Sequence, residues 1–183
     1  MLFLIIGVAV AVLAGIYVIV TYNNFISLDN SVKEAFATMD VYLKKRWDLV
    51  PNLVETVKGY TAHEKGTFEN IVNLRGSHYD ELSAESKIDI NQQLTGALGK
   101  LFALAENYPD LKASQNFIQL SSELSQIEND IANSRKYYNA VAKNMNNSVR
   151  MFPSNIIASM FNFAQVKMFE SAAQERENVK VSF

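Results

Sequence analysis

The chain begins with an apolar stretch that no charged residue interrupts. Residues 1–20 read MLFLIIGVAVAVLAGIYVIV, and the first charged side chain is Asp29. In a helix, about nineteen apolar residues extend roughly 28 Å, close to the hydrocarbon thickness of a bilayer. A cleaved signal peptide would instead need a basic residue before the apolar core and small residues at a cleavage site after it. Neither feature is present, so residues 1–22 are predicted to form a retained transmembrane anchor.

Beyond this stretch, apolar residues recur every three or four positions, which is typical of helix faces. No Pro or Gly separates residue 20 from Met39, so the anchor is expected to continue directly into the first helix of the body. Pro51 lacks an N–H and clashes with the preceding turn, so that helix is expected to end, kink or restart there. A second helix is then predicted over residues 51–74. A third follows the polar residues 77–87, with Ile88, Leu94, Ala97, Leu98, Leu101, Phe102 and Leu104 on its apolar side.

A heptad pattern after Pro109 predicts one further helix, expected to be the longest in the chain and to end at Pro153. Packing of this apolar stripe against helices of the same chain is favoured over a separate coiled coil. With Phe117 taken as position a, the a residues are Phe117, Leu124, Ile131, Tyr138, Met145 and Phe152, and the d residues are Leu120, Ile127, Ser134, Val141 and Ser148.

The segment after Pro153 is unusually rich in aromatic and aliphatic residues. One interpretation is a short amphipathic helix that covers the end of the bundle. The other is an interaction surface for lipid, a neighbouring subunit or another protein. The candidate residues are Ile156, Ile157, Met160, Phe161 and Phe163.

Composition narrows the class of protein. The formal net charge is −2 and the hydrophobic fraction is 49%, which disfavours both a disordered chain and an electrostatic partner of nucleic acid. The absence of Cys excludes disulfides and thiolate chemistry. No cofactor fingerprint is found, and His63-Glu64 is followed by Thr67 where the zinc-protease motif requires a second His. We therefore expect no catalytic residues, no metal and no cofactor.

Charged and amide residues near Pro51 form the best candidate for a binding site. Asp48, Asn52 and Glu55 are spaced four and three apart, so they share one face of a continuous helix. One interpretation is a buried polar network that fixes helix register. The alternative is a binding or catalytic carboxylate site. The predicted set is completed by residues near in sequence or expected to come near in the bundle: Arg46, Glu128 and Arg135.

Several separated segments resemble the LemA family of bacterial membrane proteins. They are YNNFISLDNSVKEAFATMDVYLKKR, RWDLVPNLVETVKGYTAHEK, the segment from LFALAENYPDL to NAVAKNMN, and FPSNIIASMFNF. The resemblance extends over nearly the whole chain. It implies an all-α fold, in which an N-terminal transmembrane helix continues into a long antiparallel helical bundle, and it implies no established enzymatic activity. The expected divisions are the anchor at 1–22, the bundle at 23–152, and a short aromatic helix and tail at 153–183.

The resulting hypothesis is a non-enzymatic, membrane-anchored scaffold or adaptor that forms homo-oligomers at the membrane. Two alternatives stay open: a lipid-binding or membrane-remodelling module, and a bundle that binds a small ligand or metal. Lys33 and residues 44–46 follow the span, which favours an N-terminus outside and a body in the cytoplasm, at the inner membrane. The expected partners are membrane lipid, further copies of the chain and another membrane-associated protein, and not nucleic acid.

Overall fold

The computed structural model describes residues 1–61, 65–76 and 78–169. Six α-helices lie in this part of the chain, and none of its residues is in a strand. The helices are α1 Leu2–Lys58, α2 Lys65–Leu74, α3 Ala84–Ala105, α4 Pro109–Ala113, α5 Gln115–Arg150 and α6 Ser154–Met160, with a 3₁₀ turn at Tyr79–Glu81 before α3. The predicted all-α fold, with an apolar N-terminal helix that continues into a helical bundle, is confirmed.

Helix α1 has 57 residues and continues through Pro51. An end or a restart of the helix at Pro51 is therefore wrong, as is the second helix over 51–74, whereas a kink at Pro51 stays a prediction. Val50, Leu53 and Val54 are buried around the proline, and their packing stabilises the helix across the missing hydrogen bond. The helix ends at Lys58, where the Thr61 hydroxyl donates a 2.9 Å hydrogen bond to the carbonyl of Val57.

The first part of α1 is long and apolar enough to cross a membrane. Its most apolar 18-residue window has a mean hydropathy of 2.9, and none of that window is buried by the rest of the chain. An exposed apolar surface of this length is stable in lipid and not in water. The expectation that the apolar segment continues into the first helix of the body without a loop is confirmed.

The prediction of a single longest helix after Pro109 is wrong in two respects. The chain forms the short α4 and then α5, which has 36 residues and is shorter than α1. Pro109 does occupy the first turn of α4 as predicted. Phe152 lies beyond the end of α5 and is 79% exposed. The other a residues are buried inside the chain, as the packing interpretation requires: Phe117, Leu124, Ile131, Tyr138 and Met145.

The described residues divide into two compact units. The first contains Met1–Ala37 and Lys136–Met168, and the second contains Thr38–Arg135 together with Phe169. The core of the second unit is formed by α1, α2, α3, α4 and α5. Its most buried side chains include Val50, Leu53, Val57, Ile71, Leu94, Leu101, Leu111 and Leu124.

In the first unit, α5 is antiparallel to α1. The rings of Phe36 and Tyr138 meet edge to face with centroids 5.9 Å apart. Further towards the N-terminus of α1, Tyr22 meets Phe161, which follows α6. After α6 the chain returns beside α5, where the side-chain amide of Asn146 accepts from the N–H of Val166 at 2.8 Å and donates to its carbonyl at 2.9 Å. The divisions predicted at residues 22 and 152 stay a prediction.

Candidate functional site

A buried arginine is the centre of the polar cluster in the second unit. Arg46 has no exposed surface. It belongs to the apolar stripe of α1, because Leu43, Arg46, Val50, Leu53 and Val57 follow each other at intervals of three and four. A guanidinium buried in this way must find partners, since an unpaired buried charge is strongly unfavourable.

The partners of Arg46 come from two other helices. One guanidinium nitrogen, Nη1, donates to the hydroxyl of Thr95 at 2.8 Å and to the carboxylate of Glu128. The other, Nη2, donates to the backbone carbonyl of Asn91 at 2.7 Å and to its side-chain oxygen. The cluster therefore joins α1 to α3 and α5 by charge-assisted hydrogen bonds.

Opposing influences act on the charge of Arg46. Burial is the largest and lowers the pKa of the guanidinium, while the Glu128 carboxylate raises it and the charge of Arg135 lowers it again. An arginine begins with so high a pKa that the group stays cationic at physiological pH. The buried guanidinium stays charged and paired, so the cluster is suited to fixing helix register rather than to exchanging protons.

A second polar cluster lies beside the 3₁₀ turn. The Tyr79 hydroxyl donates to one oxygen of Asp40 at 2.6 Å, and Lys87 donates to the other at 2.7 Å. Burial, followed by the hydrogen bond to Asp40, raises the pKa of Tyr79 above its usual range. Trp47 packs on the Tyr79 ring with centroids 5.3 Å apart, and the guanidinium of Arg75 lies 5.0 Å from the centre of the Trp47 ring.

The structure brings together only part of the predicted polar set. Arg46 and Glu128 meet, whereas Asp48, Asn52 and Glu55 share an exposed face of α1. Asp48 pairs with Lys44 at 3.2 Å, and Glu55 pairs with Lys58 at 2.9 Å.

Arg135 lies outside the hydrogen bonds of Arg46. Its guanidinium is instead 5.1 Å from the centre of the Phe169 ring. A binding role for any of the six residues stays a prediction.

Sequence reasoning missed several members of the two clusters. Asn91 lies on the apolar stripe of α3 between Ile88 and Leu94, as Arg46 lies on that of α1. A polar residue at a core position on each of two helices indicates that the two side chains meet. This signal for Arg46 and Asn91 is present in the sequence. The roles of Asp40, Tyr79, Lys87 and Thr95 depend on contacts between distant parts of the chain, and no local pattern indicates them.

The predicted C-terminal surface divides into buried and exposed members. Ile157 is buried, and Phe163 stacks on Phe25 with centroids 4.7 Å apart. Ile156, Met160 and Phe161 are exposed by 51%, 63% and 44%.

Acidic and imidazole side chains do not assemble into a metal centre in the part of the chain that the structure describes. His63, Glu64 and the tail from residue 170 lie outside that part.

The fold therefore defines a class of protein in which an all-α body continues from a helix that is long and apolar enough to cross a membrane. The sequence pattern of the LemA family matches residues 35–183, so the chain belongs to the LemA family. The predicted resemblance is thereby confirmed.

Three relatives are similar to this chain in sequence over most of its length. Protein LemA of Metamycoplasma hominis is 26% identical over 161 residues, which cover 87% of this chain and 74% of that protein. Magnetosome protein MamQ 2 of Paramagnetospirillum magneticum is 25% identical over 175 residues, which cover 81% of this chain and 64% of that protein. Magnetosome protein MamQ of Magnetospirillum gryphiswaldense is 24% identical over 191 aligned residues, and the alignment covers 88% of this chain and 70% of that protein. The chain thus spans less than two thirds of the length of MamQ 2.

Proposed function

We propose that this LemA-family protein is a non-enzymatic, membrane-anchored scaffold or adaptor that assembles with further copies of itself. The observation that carries the proposal is the single helix α1. It contains the apolar segment of membrane-spanning length and continues without a loop into residues that form the core of the helical body. A helical body attached in this way is suited to presenting its surface at the membrane.

The polar clusters support a structural role over a small-ligand site. The hydrogen bonds of the Arg46 cluster run between its own helices, and the carboxylate of Asp40 is occupied by Tyr79 and Lys87. Groups that are paired inside the body stabilise its helices, and they are not available to bind a ligand without a cost in folding free energy.

The proposed location is the inner membrane, with the N-terminus outside and the body in the cytoplasm. The positive-inside rule supports this orientation, because Lys33 and Lys44–Arg46 follow the span. Two relatives of this chain are described as magnetosome proteins. The proposed partners are membrane lipid, copies of this chain and another membrane-associated protein.

Cross-linking in native membranes tests the assembly. The chain has no Cys, so single cysteines introduced at exposed apolar positions such as Ile118 and Tyr137 can be joined specifically by a bismaleimide. We expect adducts of two chains whose yield falls when Cys-free protein is co-expressed as a competitor. If cysteines placed along the exposed faces of α1, α3 and α5 give no such adduct, self-assembly is refuted.

A further inference from the structure

The turn between α5 and α6, together with α6 and the residue that follows it, exposes several large apolar side chains. We call this group the apolar elbow, and it comprises Met151, Phe152, Ile156, Met160 and Phe161. Their exposed fractions are 62%, 79%, 51%, 63% and 44%. An exposed apolar cluster of this kind marks a surface that contacts another apolar phase.

Aromatic contacts place the elbow beside the end of the apolar segment of α1. The ring of Phe161 lies 4.8 Å from that of Tyr22, and Phe163 lies 5.8 Å from Tyr22 and 4.7 Å from Phe25. Tyr22 follows Val20, the last residue of the apolar run, by two positions. At about 1.5 Å per residue, the contact between Phe161 and Tyr22 therefore lies roughly 3 Å along the axis of α1 from the end of that run.

The elbow is held in place by the rest of the first unit. Ile157 and Ala158 are buried on one side of α6, which leaves Ile156 and Met160, four residues apart, on the other. Asn162 has a φ of 59°, and the N–H of Phe163 returns to the carbonyl of Ala158 at 2.9 Å. This left-handed cap ends α6 and turns the Phe163 ring back onto Phe25, which is completely buried.

Charge around the elbow suits a membrane surface. Residues 151–169 contain no Asp or Glu, and exposed Arg150 immediately precedes Met151. Apolar side chains flanked by a basic residue are the pattern of segments that lie at the boundary between acyl chains and headgroups.

We propose that the apolar elbow inserts into the lipid interface of the same leaflet from which α1 emerges, and so gives the body a second attachment to the membrane. Lipid is the occupant that the geometry favours, because the elbow is continuous, through Tyr22, with the exposed apolar surface of the span. The inference rests on the anchoring part of the proposed function and is independent of self-assembly.

Site-specific fluorescence in lipid nanodiscs tests the insertion. Full-length variants Phe152→Cys and Met160→Cys, labelled with an environment-sensitive fluorophore, are compared in discs with and without lipids that carry a nitroxide near the headgroup. We expect blue-shifted emission and several-fold quenching by the nitroxide lipid at both positions. These side chains are exposed, so labelling leaves the packing of the body in place.

Two matched positions calibrate the result. Leu13→Cys lies inside the span and reports whether α1 itself is in the bilayer. Tyr137→Cys replaces an exposed aromatic residue of α5. The neighbouring Tyr138 packs on Phe36 of α1. Phe36 is sixteen positions, or roughly 24 Å along the helix axis, from Val20 at the end of the apolar run. We expect Leu13→Cys to respond to nitroxides placed deep in the acyl chains and Tyr137→Cys to give no quenching.

The outcomes separate the two proposals. If Leu13→Cys is quenched while Phe152→Cys and Met160→Cys resemble Tyr137→Cys, the elbow does not insert and the inference is overturned. If shielding of the elbow requires two chains in a disc, the occupant is a second copy, and the inference is again overturned. Failure of quenching at Leu13→Cys would instead refute the anchor on which both proposals depend.

Discussion

The guanidinium of Arg46 donates a hydrogen bond to the carboxylate of Glu128, and Arg46 itself has no exposed surface. The two residues are 82 positions apart and belong to α1 and α5. Because Asn91 and Thr95 of α3 accept from the same guanidinium, one side chain fixes three helices.

Replacing Arg46 with Met is expected to lower the free energy of unfolding by about 1–3 kcal/mol, because it leaves the buried side-chain oxygen of Asn91 without its donor, whereas the Glu128 carboxylate is 36% exposed and can be hydrated. Arg46→Lys is expected to recover only part of this loss, since one ammonium group cannot reproduce the forked hydrogen bonds to both. Denaturant titration followed by circular dichroism measures both effects.

Asp48→Asn provides the control for this prediction. Asp48 is exposed and pairs with Lys44 one turn away, and such surface pairs change stability by about 0.5 kcal/mol or less. An Arg46→Met variant as stable as Asp48→Asn would contradict the assignment of Arg46 as the centre of the cluster.

Tyr79 is expected to make stability depend on pH in the alkaline range. Burial and the hydrogen bond to Asp40 raise its pKa in the folded protein, whereas an unfolded tyrosine titrates near pH 10. Above about pH 10 the folded state therefore keeps a proton that the unfolded state has lost, and the free energy of unfolding falls as the pH rises.

Tyr79→Phe is expected to make that alkaline decline shallower, because the titrating group is gone. Denaturant titrations at several alkaline pH values measure the slope in both proteins. Tyr42→Phe, at a half-exposed tyrosine on α1, serves as the matched control. Equal slopes for the original chain and Tyr79→Phe would show that Tyr79 titrates normally in the folded protein.

The cap at Asn162 is expected to tolerate Gly and to resist Ala. Glycine adopts a positive φ without strain, whereas Ala at a φ of 59° costs about 1–2 kcal/mol. Hydrogen exchange of the Phe163 amide, which bonds to Ala158, measures the integrity of the cap. Faster exchange is expected in Asn162→Ala and little change in Asn162→Gly. Identical exchange in all three proteins would remove the role assigned to this residue.

The elements that the sequence predicts best are those set by local periodicity. The apolar span, the buried a residues of α5 and the position of Pro109 all follow from spacing and backbone chemistry. Pro51 shows where local rules lose to tertiary packing, because buried Val50, Leu53 and Val54 keep α1 continuous through it.

The polar candidates show a different limit. The spacing of Asp48, Asn52 and Glu55 correctly places them on one helix face, but spacing alone does not say whether that face is buried. The apolar stripe that contains Arg46 does carry this information, since Leu43 and Val50 flank Arg46 at core positions. The contacts of Asp40 with Tyr79 and Lys87 join residues about forty positions apart or more, and a single sequence does not encode such pairings in any local pattern.

The most direct test of the proposed scaffold is the mass of the full-length protein in detergent, measured by light scattering coupled to size exclusion and corrected for bound detergent. The chain has a mass of 20.6 kDa. We predict one uniform species that contains several copies of the chain and persists on dilution. A species of one chain at every concentration would contradict self-assembly and leave a monomeric adaptor.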